Sequence, residues 1–127
     1  MKKGATYMAT WNLQGTKHHI LICNGASCMR KGGEEVTQAI RDEIDQLQIH
    51  AYVHTTRTRC NGRCEDACVV IVYPEGVWYR TIDERVARDI VRKHVRDGDM
   101  LCDYVTYTYD ESFKMPKYSQ ATRGKEK

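Results

Sequence analysis

The stretch from Arg59 to Arg80, R-C-N-G-R-C-E-D-A-C-V-V-I-V-Y-P-E-G-V-W-Y-R, constrains this chain more than any other. Its first half puts Cys60, Cys64 and Cys68 on a polar loop, each separated from the next by three residues. Its second half reads as a hairpin. Val69 to Tyr73 is a β-branched apolar run, Pro74-Glu75-Gly76 supplies turn chemistry, and Val77, Trp78 and Tyr79 begin the return strand. A thiol-rich loop that runs directly into a buried hairpin holds its sulfur rigidly, so the problem becomes what the sulfur holds.

The elements before the hairpin supply a partner loop. His18 to Ile22 predicts a first strand, and it leads straight into Cys23-Asn24-Gly25-Ala26-Ser27-Cys28, a loop with a second pair of cysteines. Gly32-Gly33 then opens a helix, because Val36, Ile40, Ile44 and Leu47 recur at helical spacing with Glu34, Glu35, Arg41, Asp42 and Asp45 on the polar side. Ala51 to Thr58 predicts a second strand. After the hairpin, Thr81-Ile82-Asp83-Glu84 fits a Thr-x-x-Glu capping box. The helix it starts buries Ile82, Val86, Ile90, Val91 and Val95 and ends at Gly98.

The order is therefore β-α-β followed by β-β-α. A helical crossover makes the first two strands parallel, and the hairpin adds antiparallel ones. The expected fold class is α/β, a two-layer thioredoxin-like fold with a mixed sheet. Residues 1–17 read as a flexible N-terminal lead-in, with Met8 an alternative start; 18–98 as the domain; and 99–127 as an extended tail with a basic, disordered end. The threonine-interleaved Tyr104, Tyr107 and Tyr109 are extended by propensity, and could lie on the domain or pair two copies into a homodimer.

In a parallel β-α-β unit, the loops after the two strands share one end of the sheet. Cys23 and Cys28 can thus meet Cys60 and Cys64 although 31 residues separate the pairs. Such a meeting suits a tetrathiolate metal site. Zinc tolerates C-x4-C and C-x3-C but prefers tighter knuckles. A thioredoxin-type oxidoreductase needs C-x-x-C, which the chain lacks. A [2Fe-2S] cluster takes two thiolates on each of two irons, which two loops with a pair apiece supply. The plant-type ferredoxin spacing is not present. The cluster and zinc both stay open on spacing.

The compartment bears on that choice. No apolar run approaches the ~20 residues of a membrane span, and the N-terminal lysines precede no apolar stretch, so neither a membrane nor a secretory signal is expected. The expected location is cytoplasmic, where six cysteines serve metal or redox chemistry rather than disulfides. The net charge of +3 comes from Lys114, Lys117, Arg123, Lys125 and Lys127 against Glu126 at the end of the chain, with the remainder near neutral. That distribution does not suggest nucleic acid as a partner.

The pattern C-x4-C, a spacer near thirty residues, C-x3-C and then V-V-I-V-Y-P-E-G-V-W-Y resembles the thioredoxin-like [2Fe-2S] ferredoxin family, which also includes a small subunit of respiratory NADH dehydrogenase. Through Trp11-Asn12-Leu13-Gln14-Gly15 and I-C-N-G-A-S-C-M-R-K-G-G it is similar to a bacillus-type group encoded among cobalamin biosynthesis genes. The resemblance, over roughly 18–98, implies a [2Fe-2S] cluster on Cys23, Cys28, Cys60 and Cys64 and an electron carrier rather than a catalyst. It also implies a redox partner protein, either a reductase or a cobalamin-pathway enzyme. The alternative is a zinc-binding thioredoxin-like interaction domain without redox activity.

One departure stands out. Where the family has Gly-Pro before the third strand, this chain has Ala67-Cys68, which makes Cys68 either an alternate iron ligand or a small buried hydrophobe. Cys102 reads as a free thiol, and Trp78 and Tyr79 as packing rather than a conduit. The histidines are too scattered for a Rieske-like pair. Arg30, Lys31, Arg57, Arg59 and Arg63 surround the cysteine loops, either as a solvated rim or as charges that tune or dock.

Overall fold

The computed structural model describes residues 10–127, so Met8 and the first half of the expected lead-in lie outside the described residues. The strands are β1 (His18–Cys23), β2 (Val53–Thr58), β3 (Val69–Tyr73), β4 (Val77–Arg80), β5 (Val105–Asp110) and β6 (Ser112–Lys114). The helices are α1 (Ala26–Arg30), α2 (Gly33–Gln46) and α3 (Glu84–Asp89), the last continuing as a π-helical segment, Ile90–Arg96. The sheet order is β2-β1-β3-β4-β5-β6. It is mixed, as expected: β1 runs parallel to β2 and antiparallel to β3.

The β-branched run makes β3 the centre of the sheet. Val69, Val70, Ile71 and Val72 are all buried, and each fully buried side chain of this size contributes about 1.5–3 kcal/mol. Ile20 and Ile22 of β1 and Val77 and Tyr79 of β4 flank it in register. α2 and α3 lie side by side on one face. Val36, Ala39, Ile40 and Ile44 of α2, with Val86, Ala87, Ile90 and Val91, close the core there. Glu43 of α2 lies 3.8 Å from Arg88 and 3.6 Å from Arg92, which ties the two helices together.

Two details of α3 differ from the capping-box expectation. The N-cap is Asp83, not Thr81: its Oδ1 accepts from Val86 N–H at 2.9 Å. Thr81 is instead drawn inside by backbone bonds in both directions with Cys68 (Cys68 N–H to Thr81 O, 3.1 Å; Thr81 N–H to Cys68 O, 2.8 Å). Ile82 consequently precedes the helix and is 48% exposed rather than buried. Gly98 does end the segment, at φ +83°, the left-handed region that glycine enters without strain.

The sheet continues past residue 98. β5 pairs antiparallel with β4 (Trp78 opposite Tyr107, Tyr79 opposite Val105), and β6 pairs with β5. Residues 119–122 fold back over this addition, with Ser119 Oγ donating to Thr106 O at 3.1 Å. At the other edge, Lys17 N–H donates to Tyr52 O at 2.8 Å and Trp11 packs edge-on against His50. No helix among the described residues is long and apolar enough to cross a membrane.

Candidate metal centre

β1 and β2 both end at the same edge of the sheet, Cys23 opposite Thr58, and the loops that follow carry the cysteines. Within the C-x4-C spacer, expected as a loop, the chain forms α1, a helix too short to leave a periodic trace. It turns Cys28 back toward Cys23. Both are only 2% exposed. Cys60 and Cys64, on the loop before β3, are exposed.

These four cysteines line one small pocket, together with Gly25, Ser27, Asn61, Arg63 and Val69. They come as two pairs. Cys60 Sγ and Cys64 Sγ are 3.7 Å apart, the edge of a sulfur tetrahedron around a metal with bonds of about 2.3 Å. Cys23 and Cys28 are hydrogen-bonded to each other through their thiols. Burial raises the Cys23 thiol, but the Gly25 amide, Cys28 and Asn61 outweigh that and leave it below the usual cysteine value. Burial pushes Cys28 up to about 12. Among the described residues no group of three or more His, Cys, Asp or Glu side chains is placed to hold a single metal ion. No cysteine is in a disulfide.

The loops are locked together by backbone contact. A Cβ on Gly25 would lie 2.9 Å from both N and Cα of Cys60, so only glycine allows the two cysteine loops to approach this closely. Gly62 N–H donates to Cys60 Sγ at 3.3 Å. Asn24 N–H donates to Thr58 O at 2.8 Å, and Arg57 donates to Asn24 Oδ1 at 3.1 Å while pairing with Glu34 at the start of α2. That clamp across β1, β2 and α2 went unforeseen, because residues 24, 34 and 57 form no pattern along the chain. Asn61 Nδ2 bonds Thr58 Oγ1 at 2.7 Å, and Arg63 pairs with the buried Asp66 at 2.7 Å, which fixes the second loop.

The third sulfur of the loop goes elsewhere. Cys68 is 0% exposed, outside the pocket lining, and its Sγ donates to Cys28 O at 3.2 Å and Lys31 O at 3.5 Å. Burial raises its pKa. It holds α1 in place through backbone carbonyls, as a small buried side chain with one weak donor does. Cys102 is exposed beside β5, far along the chain from the pocket. None of the histidines lines the pocket.

An all-sulfur donor set in two pairs, with amide N–H groups aimed at sulfur and a glycine where the loops touch, fits a [2Fe-2S] cluster. The family model for thioredoxin-like [2Fe-2S] ferredoxin matches residues 4–94. A Priestia megaterium protein assigned to the 2Fe-2S ferredoxins is 54% identical over 121 residues, 94% of each chain. A 2Fe-2S ferredoxin of Clostridium pasteurianum is 32% identical over 93 residues, 67% of this chain and 91% of that one. The structure of a thioredoxin-like [2Fe-2S] ferredoxin from Aquifex aeolicus superposes with a TM-score of 0.68 at 28% identity, over 75% of this chain and 94% of that one. The sheet, the paired thiols and these relatives agree, and the chain belongs to the thioredoxin-like [2Fe-2S] ferredoxin family, electron-transfer proteins whose cofactor is a [2Fe-2S] cluster.

Proposed function

We propose that Cys23, Cys28, Cys60 and Cys64 hold the [2Fe-2S] cluster of this chain, and that it passes single electrons to a redox partner protein. The observation that carries the reading is the lining of one pocket by these four thiols from two loops. Bound there, the cluster supplies a one-electron iron couple. The protein holds the ligands still and sets the potential. Gly62 N–H, 3.3 Å from Cys60 Sγ, and the Gly25 amide beside Cys23 favour negative charge on sulfur. Burial of Cys23 and Cys28 keeps water from the inner pair. The family match favours the cluster over zinc.

Anaerobic reconstitution tests this. The expected product is brown, carries iron and acid-labile sulfide in equal amounts, bleaches with dithionite and then gives an EPR signal. Colourless protein holding one zinc sinks the reading. Serine at each of the four positions should alter that spectrum, and Cys68→Ser should not, since Cys68 is bonded to carbonyl oxygens instead.

The finer proposal is service in cobalamin biosynthesis, by way of a reductase or a pathway enzyme. It rests on the resemblance carried by Trp11–Gly15 and the residues from Ile22 to Gly33. Deleting the gene should produce cobalamin auxotrophy; prototrophic growth counts against it. The reduced cytoplasm is the proposed compartment, which suits a chain with no disulfide. Homodimerisation is proposed through the open β5–β6 edge, where Tyr109 is 55% and Phe113 52% exposed, and sedimentation of a Phe113→Glu variant tests it.

A further inference from the structure

The two thiol pairs differ in exposure, and that fixes where a partner must approach. Cys23 and Cys28 form the floor of the pocket, whereas Cys60 and Cys64 reach the surface. Electrons therefore enter and leave past the loop of residues 59–64.

Around this mouth the cations fall into two sets. Arg57 and Arg63 are used inside the molecule, on Glu34 and Asp66. Arg30 and Lys31 at the end of α1, and Arg59 beside Cys60, are exposed, and no carboxylate of the described residues lies within ion-pair distance of them. Residues 1–9 contain no acid that could neutralise them.

The end of the chain adds to the same rim. Arg63 donates to Thr122 O, and its guanidinium stacks 5.2 Å over the Tyr107 ring. Arg80 reaches Gln120 at 3.4 Å. These contacts form a groove with Asn61, Gly62 and Arg63 on one wall and Arg123, Lys125 and Lys127 on the other. Arg123 pairs with Glu126; Lys125 and Lys127 have no carboxylate partner among the described residues.

We propose that Arg30, Lys31, Arg59, Lys125 and Lys127 form a cationic collar around the Cys60–Cys64 mouth that docks the acidic face of a redox partner protein. The collar rests on the reading of this chain as a [2Fe-2S] electron carrier. The rim also carries two acids, the exposed Glu65 beside Cys64 and Glu126 in the groove, so the collar acts through its excess of cations. An excess of one sign at a site of close approach steers an oppositely charged protein and orients it during encounter, with little added affinity. At the opposite end of the sheet cations lie beside acids: Arg96 pairs with Asp97, and Glu75 meets His18 and His94.

The test uses reduced, cluster-loaded protein freed of dithionite and mixed with ferric cytochrome b5, an acidic haem protein, or ferric cytochrome c, a basic one. One electron leaves the cluster and one ferric haem becomes ferrous; no bond or proton moves. Reduction of cytochrome b5 should slow by about tenfold as ionic strength rises from about 0.01 M to about 0.15 M. Lys125→Glu with Lys127→Glu should lower the low-salt rate by about fivefold and flatten the salt dependence. Two charge reversals at the far end of the sheet, Lys93→Glu with Arg96→Glu, should stay within about twofold.

Loaded protein whose rate is flat in salt overturns the collar alone. So does equal slowing by the far-end pair, or a faster low-salt reaction with cytochrome c. Retention of a DNA duplex that the tail variants abolish, with haem reduction unchanged, assigns the rim to nucleic acid and also overturns it. Absence of iron and sulfide after reconstitution overturns the carrier reading, and the collar with it.

Discussion

The two ends of the central strands bury polar groups in opposite ways. At the end remote from the cysteines, Leu101 N–H donates to Tyr79 Oη at 3.2 Å, and the Tyr79 hydroxyl donates to His94 Nδ1 at 2.6 Å. That leaves the His94 proton on Nε2, 3.7 Å from Glu75, which also meets His18 at 3.0 Å. Every member has a partner within the chain, and the network closes on itself. At the cysteine end four cysteines line a cavity, and their sulfur partners are the Gly62 amide, the Arg59 carbonyl and one another. A buried network that satisfies itself is packing; a donor set with two buried and two exposed thiols around an opening is built for a guest.

Substitutions at the two ends should therefore separate cluster loading from stability. The largest effect is expected for Gly25→Val, because a Cβ there meets the Cys60 backbone at 2.9 Å and drives the two cysteine loops apart. Iron bound per chain should fall nearly to zero while the far-end network keeps its contacts. Retention of wild-type iron would show that the loops need not touch. Next comes the asymmetry between pairs. Cys23→Ser and Cys28→Ser should bleach in air about tenfold faster than Cys60→Ser and Cys64→Ser, since even supporting groups alter metal affinity on that scale, and solvent can fill a lost ligand only at the exposed pair. Absorbance decay measures this, and equal rates would erase the distinction between floor and mouth.

Tyr79→Phe should do the reverse. It leaves Leu101 N–H and His94 Nδ1 without their shared partner and should cost about 1–3 kcal/mol in denaturant unfolding. The reduced EPR spectrum should not change.

The smallest effect is a pH dependence at the same end. Burial holds the His94 pKa below its ordinary value, with Glu75 pulling upward but not winning. Burial also raises the Glu75 carboxyl, but its own backbone amide and His18 outweigh that and keep it low, so it stays ionised across the window. The unfolded chain thus takes up a proton first as pH falls through about 6.5. The His94 contribution is complete above that pH and is lost below it, until the folded-state pKa is passed. The slope is at most about 1.4 kcal/mol per pH unit. His94→Gln should flatten it between pH 5 and 7, in units of about one group's titration.

Much of this was legible along the chain. Apolar spacing marked α2, and the β-branched run with Pro74-Glu75-Gly76 marked the β3–β4 hairpin. The meeting of Cys23 and Cys28 with Cys60 and Cys64 followed from topology alone, since a parallel crossover leaves both strand ends at one edge. Other features left no local signal. α1 is five residues long, below the length at which periodicity can be seen. Thr81 and Asp83 both suit an N-cap, and only the pairing of Thr81 with Cys68 passes the role to Asp83. β5 is extended by propensity, but nothing in Tyr104 to Tyr109 says that it would pair with β4.

Cys60, Cys64 and Cys68 draw the line most sharply. Their even spacing before a β-branched run by itself determined a sulfur-bearing loop fastened to a central strand, because such a run must be buried on both faces. Which sulfurs face the cavity was decided only by the tertiary structure. The loop lies across α1, so Cys64 opens onto the pocket and Cys68 turns under the carbonyls of Cys28 and Lys31, contacts between residues about forty positions apart that no local spacing encodes.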